Sequence, residues 1–368
     1  MTTREIGAAE AITGLHHLTA ITADAQRTTD FYTQTLGLRL VKQTVTDDDT
    51  AAYHLFLGND AAAPGSLVTF FEWRQMAPGR TGIGATHHLA FATPDRDTLL
   101  QWKRWLIDRG LTVTGPYDRV YFTSIYLTDP DGLIIEIATN GPGWTVDEAA
   151  GALGTEIKPP PPETTLHGRN EAAIAAEIWP DPIAAPTPEM RLDAFHHVTA
   201  IGTDRERLTT FWTETLGLRL VKQTVNCDDP TSPHLYFAVG DGAPGTIVTY
   251  FIYPPAGKMR YAQVGAGMTH HVALAVESDA AQRAWLERLN RAGVPTTPII
   301  DHHYFKSIYF QDPDGQILEI ATRGPGLAID EAPDLLGQTL QLPAALAAER
   351  ARIEAALTPL RVPAPVGR

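Results

Sequence analysis

The sequence predicts an α+β fold built from four copies of one βαβββ module. Its length of 368 residues is more than one ordinary hydrophobic core contains, and suggests two domains. The chain is also duplicated, and a fainter repeat recurs inside each half. In each repeating unit a strand pattern is followed by one helical pattern and then by three more strand patterns.

The duplication covers most of the chain. Residues 15–49 (LHHLTAITADAQRTTDFYTQTLGLRLVKQTVTDDD) match residues 195–229 (FHHVTAIGTDRERLTTFWTETLGLRLVKQTVNCDD), 180 positions later. Two further segments recur 183 positions later, THHLAFA as THHVALA and YFTSIYLTDPDGLIIEIATNGPG as YFKSIYFQDPDGQILEIATRGPG. The predicted organisation is a first domain of two modules at 14–145, a Pro-rich linker at 146–193, a second two-module domain at 194–330 and a C-terminal tail at 331–368.

The first module sets the pattern for the others. A strand around His17 precedes a helix predicted over 24–36, which Gly37 ends as a natural C-cap. The three strands that follow are predicted at 39–45, 53–57 and 66–71, from β-branched and aromatic residues between turns.

The second module repeats this order. A strand at His88 precedes a helix predicted over 95–109. Strands are predicted near Thr112, at 121–127 and at 133–138, the last two joined by the turn sequence DPDG. A further short helix is predicted inside the linker, around 170–178.

Composition excludes several function classes. The net charge of −14 argues against nucleic acid or an anionic membrane as a partner. The single cysteine, Cys227, cannot form an intrachain disulfide, and no apolar run is long enough to span a membrane. A cytoplasmic location is therefore expected by default, and the formation of a homo-oligomer stays open.

Metal-binding residue types recur at the same place in every module. The first strand of each module carries a histidine pair: His16–His17, His87–His88, His196–His197 and His270–His271. The last strands of modules two and four each carry one carboxylate, Glu136 and Glu319. Because neighbouring strand residues point to opposite faces, and the second histidine shares its face with small alanines in modules two and four, the second histidine is the better candidate ligand.

Two histidines and one glutamate form the facial triad of non-haem iron, which leaves adjacent coordination positions for substrate and dioxygen. The residues alone permit two groupings. Modules paired within a half give His17–His88–Glu136 and His197–His271–Glu319, whereas pairing module one with four and two with three gives His17–His271–Glu319 and His88–His197–Glu136.

These motifs, in this order and present twice, resemble the vicinal oxygen chelate superfamily of glyoxalases, bleomycin resistance proteins and extradiol dioxygenases. Within it the chain is most similar to two-domain ring-cleaving, hydroquinone-type dioxygenases. The resemblance implies a fold of two curved mixed-sheet half-barrel domains, in which module one pairs with module four. It also implies an Fe(II)-dependent reaction in which dioxygen cleaves the ring of a hydroquinone or catechol-like aromatic. It implies a metal site of His17, His271 and Glu319. The intact second triad departs from those enzymes, and we expect a second metal there.

The resemblance also implies residues around the substrate. Tyr309 is expected to contact the substrate oxygen, and His16 and His270 to lie near the pocket as candidate general bases. His302 stands where relatives carry arginine, so we expect it to select substrate or to transfer protons, with His303 beside it. Five aromatic residues could line the pocket or belong to the sheet core: Phe70, Phe71, Tyr250, Phe251 and Phe305.

Two rival functions remain. A glyoxalase-like lyase or isomerase would use Zn(II) or Ni(II), with Mn(II) a further alternative to iron, and usually takes four protein ligands. The last strands of modules one and three share no carboxylate, since Glu72 has Ile252 as its counterpart, which favours three ligands. A non-enzymatic binding protein of the resistance type often lacks the triad that is intact here.

Overall fold

The computed structural model describes residues 7–46 and 48–367, and its strands form two eight-stranded mixed sheets, each a curved half-barrel. In order across the first sheet, the strands are β14 (Ile300–Asp301), β15 (Lys306–Gln311), β16 (Ile317–Thr322), β13 (Thr269–Val276), β1 (Gly14–Thr22), β4 (Leu67–Glu72), β3 (His54–Gly58) and β2 (Arg39–Thr44). In the second they are β10 (Arg219–Asn226), β11 (Asp229–Ala238), β12 (Ile247–Ile252), β9 (Phe195–Gly202), β5 (Thr86–Thr93), β8 (Ile134–Thr139), β7 (Thr123–Thr128) and β6 (Thr114–Asp118).

Each sheet takes one module from each half of the chain. At the centre of the first sheet, β1 pairs antiparallel with β13, and at the centre of the second, β5 pairs antiparallel with β9. Within each module the first and last strands are parallel neighbours, as in β1–β4 and β13–β16. The α+β class with four βαβββ modules is confirmed, and module one shares its sheet with module four.

Helices cover the apolar outer faces of the sheets. The main ones are α1 (Ala25–Gln34), α2 (Arg96–Asp108), α4 (Arg205–Thr210), which continues as a π-helical turn over Phe211–Thr215, and α5 (Asp279–Arg291). Each begins at a side-chain cap, Asp24, Asp95, Asp204 or Ser278, that accepts a backbone N–H of the first turn. Their buried aromatic residues, such as Trp102 and Trp285, fill the space against the strands. No helix in the described part of the chain is both long and apolar enough to cross a membrane.

The linker and the C-terminal tail occupy equivalent places. The linker contains α3 (Glu171–Ala176), close to its predicted position, and the tail contains α6 (Arg350–Ala356). Lys42, whose side chain is fully buried, forms ion pairs with Asp330 and Glu331, where the second domain meets the tail. Its repeat partner, Lys222, binds Asp147 and Glu148 at the start of the linker in the same way. Each segment is therefore held by ion pairs against an edge strand of a sheet, the tail against β2 and the linker against β10.

Candidate metal centre

Two histidines and one glutamate meet on the concave face of the first sheet, and we name His17, His271 and Glu319 the first triad. His17 Nε2 lies 3.2 Å from His271 Nε2 and 3.3 Å from Glu319 Oε2. His271 Nε2 lies 3.0 Å from the same Oε2. All three side chains are at most 3% exposed. One ion could therefore contact all three donor atoms, which come from both halves of the chain.

Strand register brings the three side chains together. In the parallel pair β13–β16, Glu319 lies opposite Ala273, two residues beyond His271 and on the same face. In the antiparallel pair β1–β13, His17 also lies opposite Ala273, which is fully buried and small. The missing bulk at Ala273 leaves room for an ion between the imidazoles and the carboxylate.

The first histidine of each pair sits in a β-bulge. The β1–β13 register skips His16 between Leu15 and His17, and skips His270 on the other strand. The bulge turns the first ring toward the second, so that the Nδ1 atoms lie 2.8 Å apart in both pairs. Only the second histidine of each pair lines the cavity, as alternation along the strand predicts, but the bulge brings the two rings into contact.

These Nδ1 contacts are compatible with the tautomer that a metal-binding histidine needs. A histidine that binds metal through Nε2 must carry its proton on Nδ1 and donate it to a neighbour. His16 and His270 are placed to accept that proton. Burial, and then the adjacent His17, lower the pKa of His16 to about 3, and burial lowers the pKa of His271 to about 4. Both rings therefore stay neutral at physiological pH, as this arrangement requires.

Glu319 has one satisfied and one unsatisfied oxygen. Ser307 on the neighbouring strand donates a hydrogen bond to Oε1. Oε2 is buried beside the two Nε2 atoms, yet makes no hydrogen bond of ordinary geometry with any described residue. A buried carboxylate with a free oxygen between two imidazoles fits a cation.

Thr69 occupies the position in module one that corresponds to Glu319 in module four. In module four, Glu319 on β16 lies opposite Ala273 on β13. In module one, the same place on β4 is held by Thr69, which lies opposite Thr19 on β1. The Thr69 hydroxyl is hydrogen-bonded to Thr19 Oγ1 at 2.8 Å, and Thr19 Oγ1 lies 2.8 Å from His271 Nε2. The position that decides ligand number is thus Thr69, and Glu72 instead contacts the backbone N–H groups of Ala25 and Tyr53.

The first triad opens into a cavity of about 630 Å³, in the range of small-molecule sites. Tyr309 and His302 lie on its wall, with His302 Nε2 3.1 Å from Tyr309 Oη, and His303 also borders it. Burial, and then the charge of Glu319, raise the pKa of Tyr309 above its ordinary value. The tail contributes Pro343, Ala344 and Ala345 to the wall.

Only some of the residues that the sequence placed near the substrate line the cavity in the structure. His16 and His270 do not line the cavity, and contact the ligand imidazoles from behind. Of the five aromatic candidates, Phe71 and Phe305 line this cavity and Phe251 lines the space at the second triad. Phe70 and Tyr250 belong to the core under the helices.

His54 is a cavity residue that the sequence reasoning missed. It lies on β3, its Nε2 atom is 3.3 Å from Thr69 Oγ1, and its ring packs at a tilt against those of Phe56 and Phe71. Burial, and then the surrounding histidines, lower its pKa well below the ordinary value. The available signal was its recurrence as His234, 180 positions later, in the same register as the rest of the duplication.

The second sheet contains the matching set, and we name His88, His197 and Glu136 the second triad. His88 Nε2 lies 3.2 Å from His197 Nε2 and 2.8 Å from Glu136 Oε2. His197 Nε2 lies 3.4 Å from the same oxygen, and all three side chains are buried. The six side chains therefore lie together as modules one with four and two with three, and not as modules paired within a half.

Comparison with known proteins supplies the family. The sequence model of the glyoxalase/bleomycin resistance protein/dioxygenase superfamily matches residues 14–137 and 194–320. The chain belongs to this superfamily. A solved structure from Bacillus subtilis, described as a "putative dioxygenase", superposes with a TM-score of 0.76 at 27% identity, covering 96% of this chain and 99% of that one. Glyoxalase I from Zea mays, with a TM-score of 0.55 at 16% identity over 84% of this chain and 92% of that one, shares the superfamily fold.

Two curated relatives match this chain over nearly its whole length. "Putative ring-cleaving dioxygenase MhqA" from Bacillus subtilis is 30% identical over 95% of this chain and 99% of its own. Chlorohydroquinone/hydroquinone 1,2-dioxygenase from Sphingobium indicum is 28% identical over 90% of this chain and 92% of its own. The resemblance inferred from the repeated motifs is thus confirmed at the level of the superfamily and of its ring-cleaving relatives.

Proposed function

We propose that this protein is an Fe(II)-dependent, extradiol-type ring-cleaving dioxygenase that acts on a hydroquinone or a catechol-like aromatic. The observation that carries the proposal is a buried face of three ligands that opens into a cavity with aromatic walls. Relatives named as ring-cleaving dioxygenases match nearly the full chain and support the same reaction class.

The first triad fits a metal with three protein ligands. His17, His271 and Glu319 would hold Fe(II), which when bound supplies adjacent coordination positions and a redox-active centre for substrate and dioxygen. Thr69, with its short neutral side chain, leaves the fourth place to substrate. This distinguishes the site from the four-ligand lyase alternative, for which a second carboxylate would stand at Thr69.

Tyr309 would donate a hydrogen bond to the substrate, and His302 would accept a proton from it. Because the pKa of Tyr309 is raised, its hydroxyl stays protonated at neutral pH and can donate a hydrogen bond to a substrate oxygen as negative charge develops there. His302 Nε2, next to Tyr309 Oη, can accept a proton from a ring hydroxyl or pass one through the tyrosine. Phe71 and Phe305 would pack against the ring.

His16 and His270 would act as positioning residues. Their Nδ1 contacts hold the ligand imidazoles in the tautomer that exposes Nε2 to the ion. They are separated from the cavity, so a role as general base in contact with the ring hydroxyl falls instead to His302.

Anaerobic loading with Fe(II), followed by oxygen uptake on a panel of hydroquinones and catechols, tests the function. We expect one dioxygen consumed per ring cleaved, with both oxygen atoms recovered in the ring-opened product. Glu319→Gln, which keeps the side-chain volume, is the control and should abolish uptake. Oxygen-independent isomerisation of a hemithioacetal by Ni(II)- or Zn(II)-loaded protein, without oxygen uptake by the Fe(II) form, would favour the lyase instead.

A further inference from the structure

The second triad has the donor set of the first but a different surrounding. Ser124 donates to Glu136 Oε1, as Ser307 does to Glu319, and Glu136 Oε2 is likewise buried without a hydrogen bond of ordinary geometry. The Nδ1 atoms of His87 and His88 are 2.7 Å apart, and those of His196 and His197 are 2.8 Å apart. Every feature that prepares the first triad for an ion is therefore present a second time.

Three acceptor atoms converge at this point once the ligand histidines carry their protons on Nδ1. Two imidazole lone pairs and a carboxylate oxygen then face one another within 3.4 Å, on side chains that are at most 4% exposed. Such a group is costly to bury without a compensating cation. A divalent ion satisfies all three atoms together.

The space beside the second triad is too small for an aromatic ring. The cavity there measures about 30 Å³, against about 630 Å³ at the first triad. A volume of that size holds roughly one or two water molecules, whereas sites for organic ligands begin at about 300 Å³. Water can complete the coordination of an ion here, but substrate cannot enter.

Specific residues close the second site. Strands β10 and β11 continue into a tight hairpin at Cys227 and Asp228, whereas the equivalent strands β2 and β3 end earlier, at Thr44 and His54, and Val45, Thr46 and Asp48 border the first cavity instead. Asp228 is anchored by ion pairs to Arg119 and Arg169. Arg119, the counterpart of His302, lies between this carboxylate and the Tyr126 hydroxyl and takes up space at the wall of the small cavity.

We propose that the second triad is a closed structural metal site, in which a divalent first-row transition-metal ion with one or two waters joins the two halves of the chain and takes no part in turnover. His88 and Glu136 come from the first half and His197 from the second, so the ion crosslinks β5, β8 and β9 at the centre of the second sheet. Ion binding to the folded state alone adds directly to the free energy of unfolding.

Metal stoichiometry and thermal unfolding of the full chain test this inference. Protein stripped with chelator and reloaded anaerobically with Fe(II) is freed of excess ion, and its iron is counted. We expect close to two equivalents in the wild type, and one in both His197→Ala and the matched first-site variant His17→Ala. His197→Ala should lower Tm by roughly 5 °C or more and change turnover less than about two-fold, whereas His17→Ala should abolish turnover.

The outcomes separate this inference from the proposed function. One equivalent in the wild type, unchanged by His197→Ala, would overturn the second site, and a ten-fold loss of turnover in His197→Ala would overturn its structural role. Glu136→Gln, which preserves volume, provides the same comparison if His197→Ala does not fold. Two equivalents in a protein that cleaves no ring would support the structural site while refuting the ring-cleavage proposal.

Discussion

His302 Nε2 lies 3.1 Å from Tyr309 Oη at the wall of the larger cavity, while in the second sheet the corresponding tyrosine, Tyr126, meets Arg119. The same position in the duplicated module therefore carries a titratable imidazole at the open site and a permanent cation at the closed one. This difference gives the first prediction its control.

Tyr309→Phe should lower kcat by roughly 10²-fold with unchanged iron content, because it removes a donor to the developing charge on the substrate oxygen without touching a ligand. Steady-state oxygen uptake and metal analysis on the same preparation measure the two quantities. The matched variant Tyr126→Phe should retain wild-type turnover. Equal losses in both variants would show that the effect is structural.

His271→Ala and Glu319→Ala should each abolish iron binding at the first triad, since each removes one of three protein ligands. Metal analysis after anaerobic loading should show the loss of one equivalent, together with loss of oxygen uptake. Unchanged iron content and activity in either variant would disprove the ligand assignment.

A fragment of residues 190–368 should form neither site. It lacks His17 for the first triad and both His88 and Glu136 for the second, and β13 and β9 lose their central antiparallel partners. We expect no stoichiometric iron binding and no turnover from the fragment, and recovery of both when residues 1–189 are co-expressed with it. Full-length activity from the isolated fragment would contradict the exchange of modules between halves.

Asp312→Asn should flatten the pH dependence of stability. Burial raises the pKa of Asp312 to about 6 from its ordinary 3.8, so the folded protein binds this proton more tightly than the unfolded chain does. The resulting contribution to the free energy of unfolding is fully present below pH 3.8 and is lost as pH rises through about 6. An asparagine can keep the contacts to Asp314 N, Gln316 N and Tyr250 Oη without ionising. Relative to wild type, the variant should gain about 1.4 kcal/mol per pH unit between pH 4 and 6.

Chemical unfolding of metal-free protein at several pH values measures this difference. Asp129→Asn, at the equivalent turn of module two, should behave in the same way, since burial also raises the pKa of Asp129 to about 6. Parallel pH profiles for wild type and both variants would show that neither carboxyl is perturbed as described.

The sequence by itself determined the module, its repetition and the candidate ligands. Repeats reveal themselves without structure, because equivalent residues such as His17 and His197 recur at a fixed offset, and helix ends follow from local caps such as Asp24 and Asp95. The choice of the second histidine in each pair needed only the two-residue period of a strand and the alanines that share its face.

Only the tertiary structure decided which modules meet and what surrounds each triad. Both groupings of modules satisfy the same local pattern, and they differ in the long-range pairing of β1 with β13, which leaves no local mark on the sequence. The bulges at His16 and His270 depend on register between distant strands in the same way. The difference in size between the two cavities also depends on distant contacts. Arg119 is held beside the second triad by Asp228, which lies 109 positions away in the sequence.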